Sequence, residues 1–377
     1  MEVYLDNAAT TRMDAAVFDV MAPFYREAFG NPSATHTRGR RARLEVEKAR
    51  KTIAECLNAA PADIFFTSGG TEADNMAIHS AVRAHGVKRI ISSHLEHHAV
   101  LNVLKDLSAR ELVEIVFLDH DSQGRVDLDQ LESLLLIKGE TLVTLMHANN
   151  EVATMHDISS IARLCHSYGA LFHSDTVQTV GHYQMDMLDE TSPDFIVGSA
   201  HKFHGPQGTG FLCRRPTIAL SRFLHGGGQE MGLRAGTENV AGIVGMAKAL
   251  EIACTNMKNH QQHILQLKKR LMKGIIEIFP SAQFNGTSGQ ETGLCSVLSV
   301  SMDILDDELP ILAKLNIAGI YASGGSACTG GSKSHVINAL GTGERKETIR
   351  FSFSRNNTSS EVDYVLSVMS AVGTVKV

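Results

Sequence analysis

Apolar residues in this chain come in short runs separated by amphipathic stretches. Ile64-Phe-Phe-Thr67, Arg89-Ile-Ile-Ser92, Val113 to Leu118, Leu142 to His147, Leu171-Phe-His-Ser174 and Phe195-Ile-Val-Gly198 are dominated by β-branched, aromatic and aliphatic residues. That is the pattern of strands buried on both faces. Between them, Thr71 to Ala84, about His97 to Leu107, Leu128 to Leu135 and Ile158 to Tyr168 carry apolar positions at helical spacing. A charged amphipathic helix is predicted earlier, from about Arg38 to Leu57. Strand and helix alternate, which predicts an α/β fold with a largely parallel, doubly wound sheet flanked by helices.

Farther on, Ala241 to about Ile278 has few breakers and reads as a helical stretch bridging two domains. Val297 to Val377 alternates shorter strands and helices, as a smaller α/β domain would. There is no internal repeat and no low-complexity tract.

Composition narrows the class. The chain has 377 residues, 43% apolar and 20% charged, enough to bury a large core. A net charge of −6 argues against nucleic acid as a partner. No run of membrane-spanning length and no secretory signal is visible, so a cytoplasmic location is expected. The six cysteines show no CxxC pair and no zinc-like spacing, so no metal site is expected. Cys56, Cys165, Cys213, Cys254 and Cys295 lie in apolar or helical segments and are expected to be buried.

In open α/β sheets, ligands bind beyond the carboxyl ends of the strands, so the polar residues after each run matter most. Ser68-Gly-Gly-Thr-Glu-Ala-Asp-Asn75 opens a helix, where glycines and free N–H groups make a phosphate cradle. Glu96-His97-His98 offers a ring for stacking or proton relay. Asn149-Asn150-Glu151 offers amide donors, and Asp175 ends a buried strand where a carboxylate needs a partner. Lys202, in Ser199-Ala-His-Lys-Phe-His204, is a candidate for a desolvated, reactive amine. Each segment alone also reads as an ordinary cap, turn or solvated charge. Together they describe one ligand, with its phosphate at Thr71, ring on His97, ring nitrogen on Asp175 and aldehyde on Lys202. That set suits pyridoxal 5'-phosphate (PLP).

Cys328 is the exception among the cysteines. It sits in Ser323-Gly-Gly-Ser-Ala-Cys-Thr-Gly-Gly-Ser332, a run with no apolar face and no helical or strand period. Such a segment predicts a loop that can carry a thiol to a partner.

The chain resembles the cysteine desulfurases of the NifS/IscS-like group, in the class V aminotransferase family of fold type I PLP enzymes. The matching segments include Leu5-Asp-Asn-Ala-Ala-Thr-Thr11, Phe29-Gly-Asn-Pro-Ser33, Thr67-Ser-Gly-Gly-Thr-Glu-Ala-Asp-Asn75, Asp175-Thr-Val-Gln178, Ser199-Ala-His-Lys202, Arg234-Ala-Gly-Thr237, Ser326-Ala-Cys328 and Ile349-Arg-Phe-Ser352. They keep family order over nearly the whole chain. The resemblance implies a large PLP-binding domain at 15–255. It implies a small domain built from 1–14 and 256–377 that carries the cysteine loop.

By the same resemblance, Lys202 is the Schiff-base lysine, Asp175 partners the pyridinium, and His97 stacks on the ring. Gly70, Thr71, Ser199 and His201 hold the phosphate. Asn150 and Gln178 line the ring oxygen, Asn150 also meeting substrate, and Arg350 clamps the substrate carboxylate. Thr237 reaches the phosphate of a second subunit, implying a homodimer with a shared site. Cys328 takes sulfur from L-cysteine as a persulfide, leaving L-alanine, and passes it to an acceptor protein in iron–sulfur or thiolation pathways. The run after Cys328 is about two residues shorter than usual in the family. The chain also stops soon after its last predicted helix, where scaffold-docking members continue, so the acceptor stays open. Two other readings stand beside this one: a selenocysteine lyase or other class V enzyme, and a non-catalytic sulfur-relay protein.

Overall fold

The computed structural model describes residues 1–303, 309–324, 334–341 and 346–373. Cys328 therefore lies outside the described residues. In chain order the first elements are β1 (Val3–Tyr4), α1 (Ala15–Arg26), α2 (Thr37–Cys56), β2 (Ile64–Thr67), α3 (Gly70–His85), β3 (Arg89–Ser93), α4 (His98–Ala109), β4 (Glu114–Leu118) and α5 (Leu128–Leu135). Next come β5 (Thr141–Thr144), α6 (Ile158–Ser167), β6 (Leu171–Ser174), β7 (Phe195–Ser199), β8 (Gly210–Arg214), α7 (Val240–Thr255) and α8 (Met257–Ile278). The last are β9 (Gln283–Phe284), β10 (Val297–Asp303), α9 (Ile311–Ile317), β11 (Ile320–Tyr321), α10 (His335–Ala339), β12 (Lys346–Ser352) and α11 (Ser359–Gly373).

The large sheet has seven strands in the order β2-β8-β7-β6-β5-β3-β4. Every neighbouring pair is parallel except those made by β8, which runs antiparallel between β2 and β7. Strands β2, β5, β7 and β8 are apolar and almost wholly buried because helices cover both faces. One face packs Ile64, Phe66, Val143, Phe172 and Ile196 against α2, α6 and α7. The other packs Phe65, Ile90, Leu142 and Val197 against α3 and α4. The α/β architecture with a mostly parallel sheet is as the sequence pattern predicted.

A second core gathers the chain's two ends. Val3 and Leu5 join residues of α8, β10, β12 and α11 in one buried cluster. There β10 pairs antiparallel with β12 and β9, while β1 pairs in parallel with β11.

Several expectations need correction. The stretch from Ala241 to Ile278 is two helices, α7 and α8, bent by 75° at Asn256. No Gly or Pro marks the break, but Thr255 and Asn256 are weak helix formers, and the Asn256 N–H turns back onto the Cys254 carbonyl. The two helices serve different cores, so tertiary packing sets the bend. Strand β5 ends at Thr144, short of the predicted His147. Cys56 and Cys254 are only half-buried, and their thiols meet at the ends of α2 and α7. Among the described residues no single helix is long and apolar enough to cross a membrane.

Candidate active site

The segments after β2, β3, β5, β6 and β7 converge on one cavity of about 470 Å³. Parallel strands place all those carboxyl ends on one edge of the sheet, as open α/β folds do. Gly70, Thr71, His97, Asn150, Asp175, Gln178, Ser199, His201, Lys202 and Arg350 all line it.

Lys202 follows β7 in a single 3₁₀ turn, Ala200–Lys202. Its Nζ donates to the Ala8 and Ala9 carbonyls at 2.5 and 2.9 Å. The N-terminal segment thus forms the wall opposite the lysine. Gln178 Nε2 donates to the same Ala8 carbonyl at 3.1 Å.

Asp175 follows β6, and one of its carboxylate oxygens accepts from the Val177 N–H at 2.9 Å. It is 8% exposed, so the remaining oxygen needs a cationic or N–H partner in the cavity. His97 caps α4, its Nδ1 accepting from the Ala99 N–H at 3.1 Å. That contact leaves the ring proton on Nε2. Burial pulls His97 below its ordinary pKa, with Asp175 opposing and Lys202 assisting, so the ring is neutral near pH 7. Burial, then Lys202, pulls His201 down to about 4, and its Nδ1 lies 3.1 Å from Thr10 Oγ1.

The phosphate end rests on α3. No side chain caps Gly69, so the first N–H groups of this 16-residue helix keep their anion-binding capacity. A Cβ at Gly70 would come within 2.6 Å of Val177 Cγ2, so only glycine leaves the cradle open. The donor set fits PLP: N–H groups, Ser199 and His201 for phosphate, Asp175 for a protonated ring nitrogen, and an amine at Lys202.

Arg350 is 2% exposed and already anchored. Its terminal nitrogens donate to Asp6 Oδ1 at 2.7 Å and to the Asn150 carbonyl at 3.0 Å. Its buried Nε makes no hydrogen bond among the described residues. The guanidinium is thus held in the cavity wall with its Nε–H still to spare.

Thr237 stands apart from these residues, exposed and outside the cavity lining. Its segment is tied down by Arg234, which forks onto Glu72 at 2.7 and 3.1 Å. Sequence reasoning assigned no role to Asp6, Ala8, Ala9, Asp74 or Glu72. The first three lie in Leu5-Asp-Asn-Ala-Ala-Thr-Thr11, and Glu72 and Asp74 in the helix-opening motif, so the signal was present without a through-space partner.

Comparisons with known proteins agree with this fold. The class-V aminotransferase family model matches residues 3–365. A protein named cysteine desulfurase IscS from Clostridium botulinum is 38% identical over 375 residues, covering 98% of this chain and 93% of that one. A solved NifS-like protein superposes with TM-score 0.89 at 37% identity, covering 99% of both chains. The solved structure of SspA in complex with cysteine gives TM-score 0.81 at 30% identity, covering 94% of this chain and all of that one. By sequence match and by fold, the chain belongs to the class-V aminotransferase family, in its NifS/IscS-like cysteine desulfurase group, whose members use PLP.

Proposed function

We propose that the chain is a PLP-dependent cysteine desulfurase that removes sulfur from L-cysteine and leaves L-alanine. The observation that carries this reading is the convergence of Lys202, Asp175, His97 and the Gly70 cradle on one cavity that Arg350 also lines. Bound there, PLP supplies an electron sink for the pair released when a substrate Cα–H bond breaks. Asp175 holds the ring nitrogen by a charge-assisted hydrogen bond. The Gly70 and Thr71 N–H groups, Ser199 and His201 hold the phosphate. Neutral His97 would stack on the ring and could pass a proton at Nε2. The Lys202 amine accepts the substrate α-proton and can return it at the product stage. Arg350, fixed by Asp6, orients the substrate carboxylate. The Cys328 thiolate attacks the substrate sulfur; an S–S bond forms, the substrate C–S bond breaks with its electron pair left on the substrate carbon, that carbon takes up a proton on the way to alanine, and a persulfide remains on Cys328.

Three finer features belong to the same proposal. The two buried cores support a large domain at 15–255 and a small one from 1–14 and 256–377. Thr237 serves the phosphate of a second copy, which its exposure outside its own cavity supports. An acceptor protein then takes the sulfur from Cys328. Incubation with L-cysteine followed by peptide mass spectrometry tests the reading. One added sulfur is expected on the peptide holding Cys328, and none in Lys202→Ala, which also loses the visible cofactor band. Sulfur found only on other cysteines would refute the role of Cys328.

A further inference from the structure

Beneath the cavity lies a layer of titratable groups that the mechanism above does not use. Asp74, early in α3, is 1% exposed and lines the cavity floor with Asp175. Its Oδ1 lies 3.3 Å from Nε2 of His173, which is wholly buried on β6 two residues before Asp175. Neither atom has a hydrogen-bond partner among the described residues, so the 3.3 Å approach leaves a donor position open between two buried polar atoms. His173 Nδ1 is 2.8 Å from Thr144 Oγ1 on β5. A third carboxyl, Glu96, accepts from the Met146 N–H at 2.7 Å through Oε1, and its buried Oε2 has no partner among the described residues.

Three buried carboxyls on one site cannot all ionise without opposing cations beside each. Of the cationic groups of the cavity, Lys202 donates to the Ala8 and Ala9 carbonyls, and Arg350 to the Asn150 carbonyl and Asp6. We propose that Asp74 and His173 form a neutral pair sharing one proton, which positions Asp175 beside the cofactor ring nitrogen. The inference rests on the PLP reading given above. The titration behaviour agrees with the geometry. Burial, then Asp175 and Glu96, push Asp74 well above its ordinary value, and burial pulls His173 down to about 3. In the pair, the Asp74 hydroxyl donates to His173 Nε2, and the Nδ1–H donates to Thr144 Oγ1. His173 and Asp175 share a strand end, so a fixed imidazole fixes the carboxylate.

Asp74 and His173 are positioning residues, and two measurements test them. The first uses the apoprotein at pH 7 and infrared difference spectroscopy between wild type and Asp74→Asn. Loss of a protonated-carboxyl signal in the variant is expected; no loss would overturn the proposal. It holds even if the chain takes up no PLP, an outcome that would instead overturn the functional reading. The second follows the visible band of the PLP-loaded protein against pH. Asp74→Asn keeps a neutral polar group and is expected to leave the band's apparent pKa in place. Asp74→Ala and His173→Leu are expected to shift it by about a unit. A shift of that size in Asp74→Asn would show that an ionised carboxylate had been removed. An unmoved band in all three would leave a structural role only. Either result would overturn the proposal.

Discussion

Lys268 carries an amine into the small core, where it is 1% exposed and donates to the Leu294 carbonyl at 2.9 Å. Burial pulls its pKa down to about 8, with Cys295 opposing. A lysine in the unfolded chain titrates near 10.4, so the folded state binds fewer protons between about pH 8 and 10.4. This group's contribution to stability therefore rises with pH through that window, and its penalty is complete below about pH 8. Lys268→Met should remove that slope. Subtracting the variant's pH–stability curve from the wild-type curve isolates it, and a flat difference would contradict the assigned shift. At this scale much of the site was legible. Lys202, Asp175 and His97 announce themselves because each follows an apolar strand run. Asp6 and Ala8 do not, because their meaning comes from Arg350 and Lys202, hundreds of residues away.

The segment leading to Thr237 is held by a buried ion pair at Glu230. Arg50 on α2 donates to both carboxylate oxygens of Glu230 at 2.8 and 2.9 Å, and Glu230 also accepts from the Phe66 N–H at 2.8 Å. The Arg50 guanidinium lies 4.4 Å from the Phe66 ring centroid. Arg50→Ala leaves Glu230 buried without its cation and should cost about 3–5 kcal/mol in denaturant unfolding. The double change Arg50→Met with Glu230→Leu should cost less, and equal losses would show that packing rather than the charge pair matters. Elements were legible where their period was long and clean, as in α2 and α3. Helix α1 was missed because only Val17 and Met21 are buried along its 12 residues. Strand β8 was missed because Gly208-Thr-Gly210 reads as a turn, and only the flanking strands give Gly210–Arg214 its place. The bend at Asn256 is set by two cores competing for adjacent helices, which no local residue signals.

At the scale of the molecule, the exposed apolar residues Phe18, Tyr25, Phe29 and Leu44 cluster in sequence on α1, α2 and the link between them. Met231 adds another in the segment leading to Thr237. An apolar surface of this kind suits contact with a second copy. Thr237→Ala should weaken PLP binding about tenfold while the protein still sediments as a dimer. A monomeric wild type that binds PLP as tightly as any variant would contradict the shared site. The central claim is that a fixed cofactor site works with a tethered thiol. The most direct measurement compares Cys328→Ala with wild type, following the visible cofactor band and the sulfide or persulfide formed from L-cysteine. The account predicts an unchanged band and no sulfur transfer in the variant; sulfur release at the wild-type rate would contradict it.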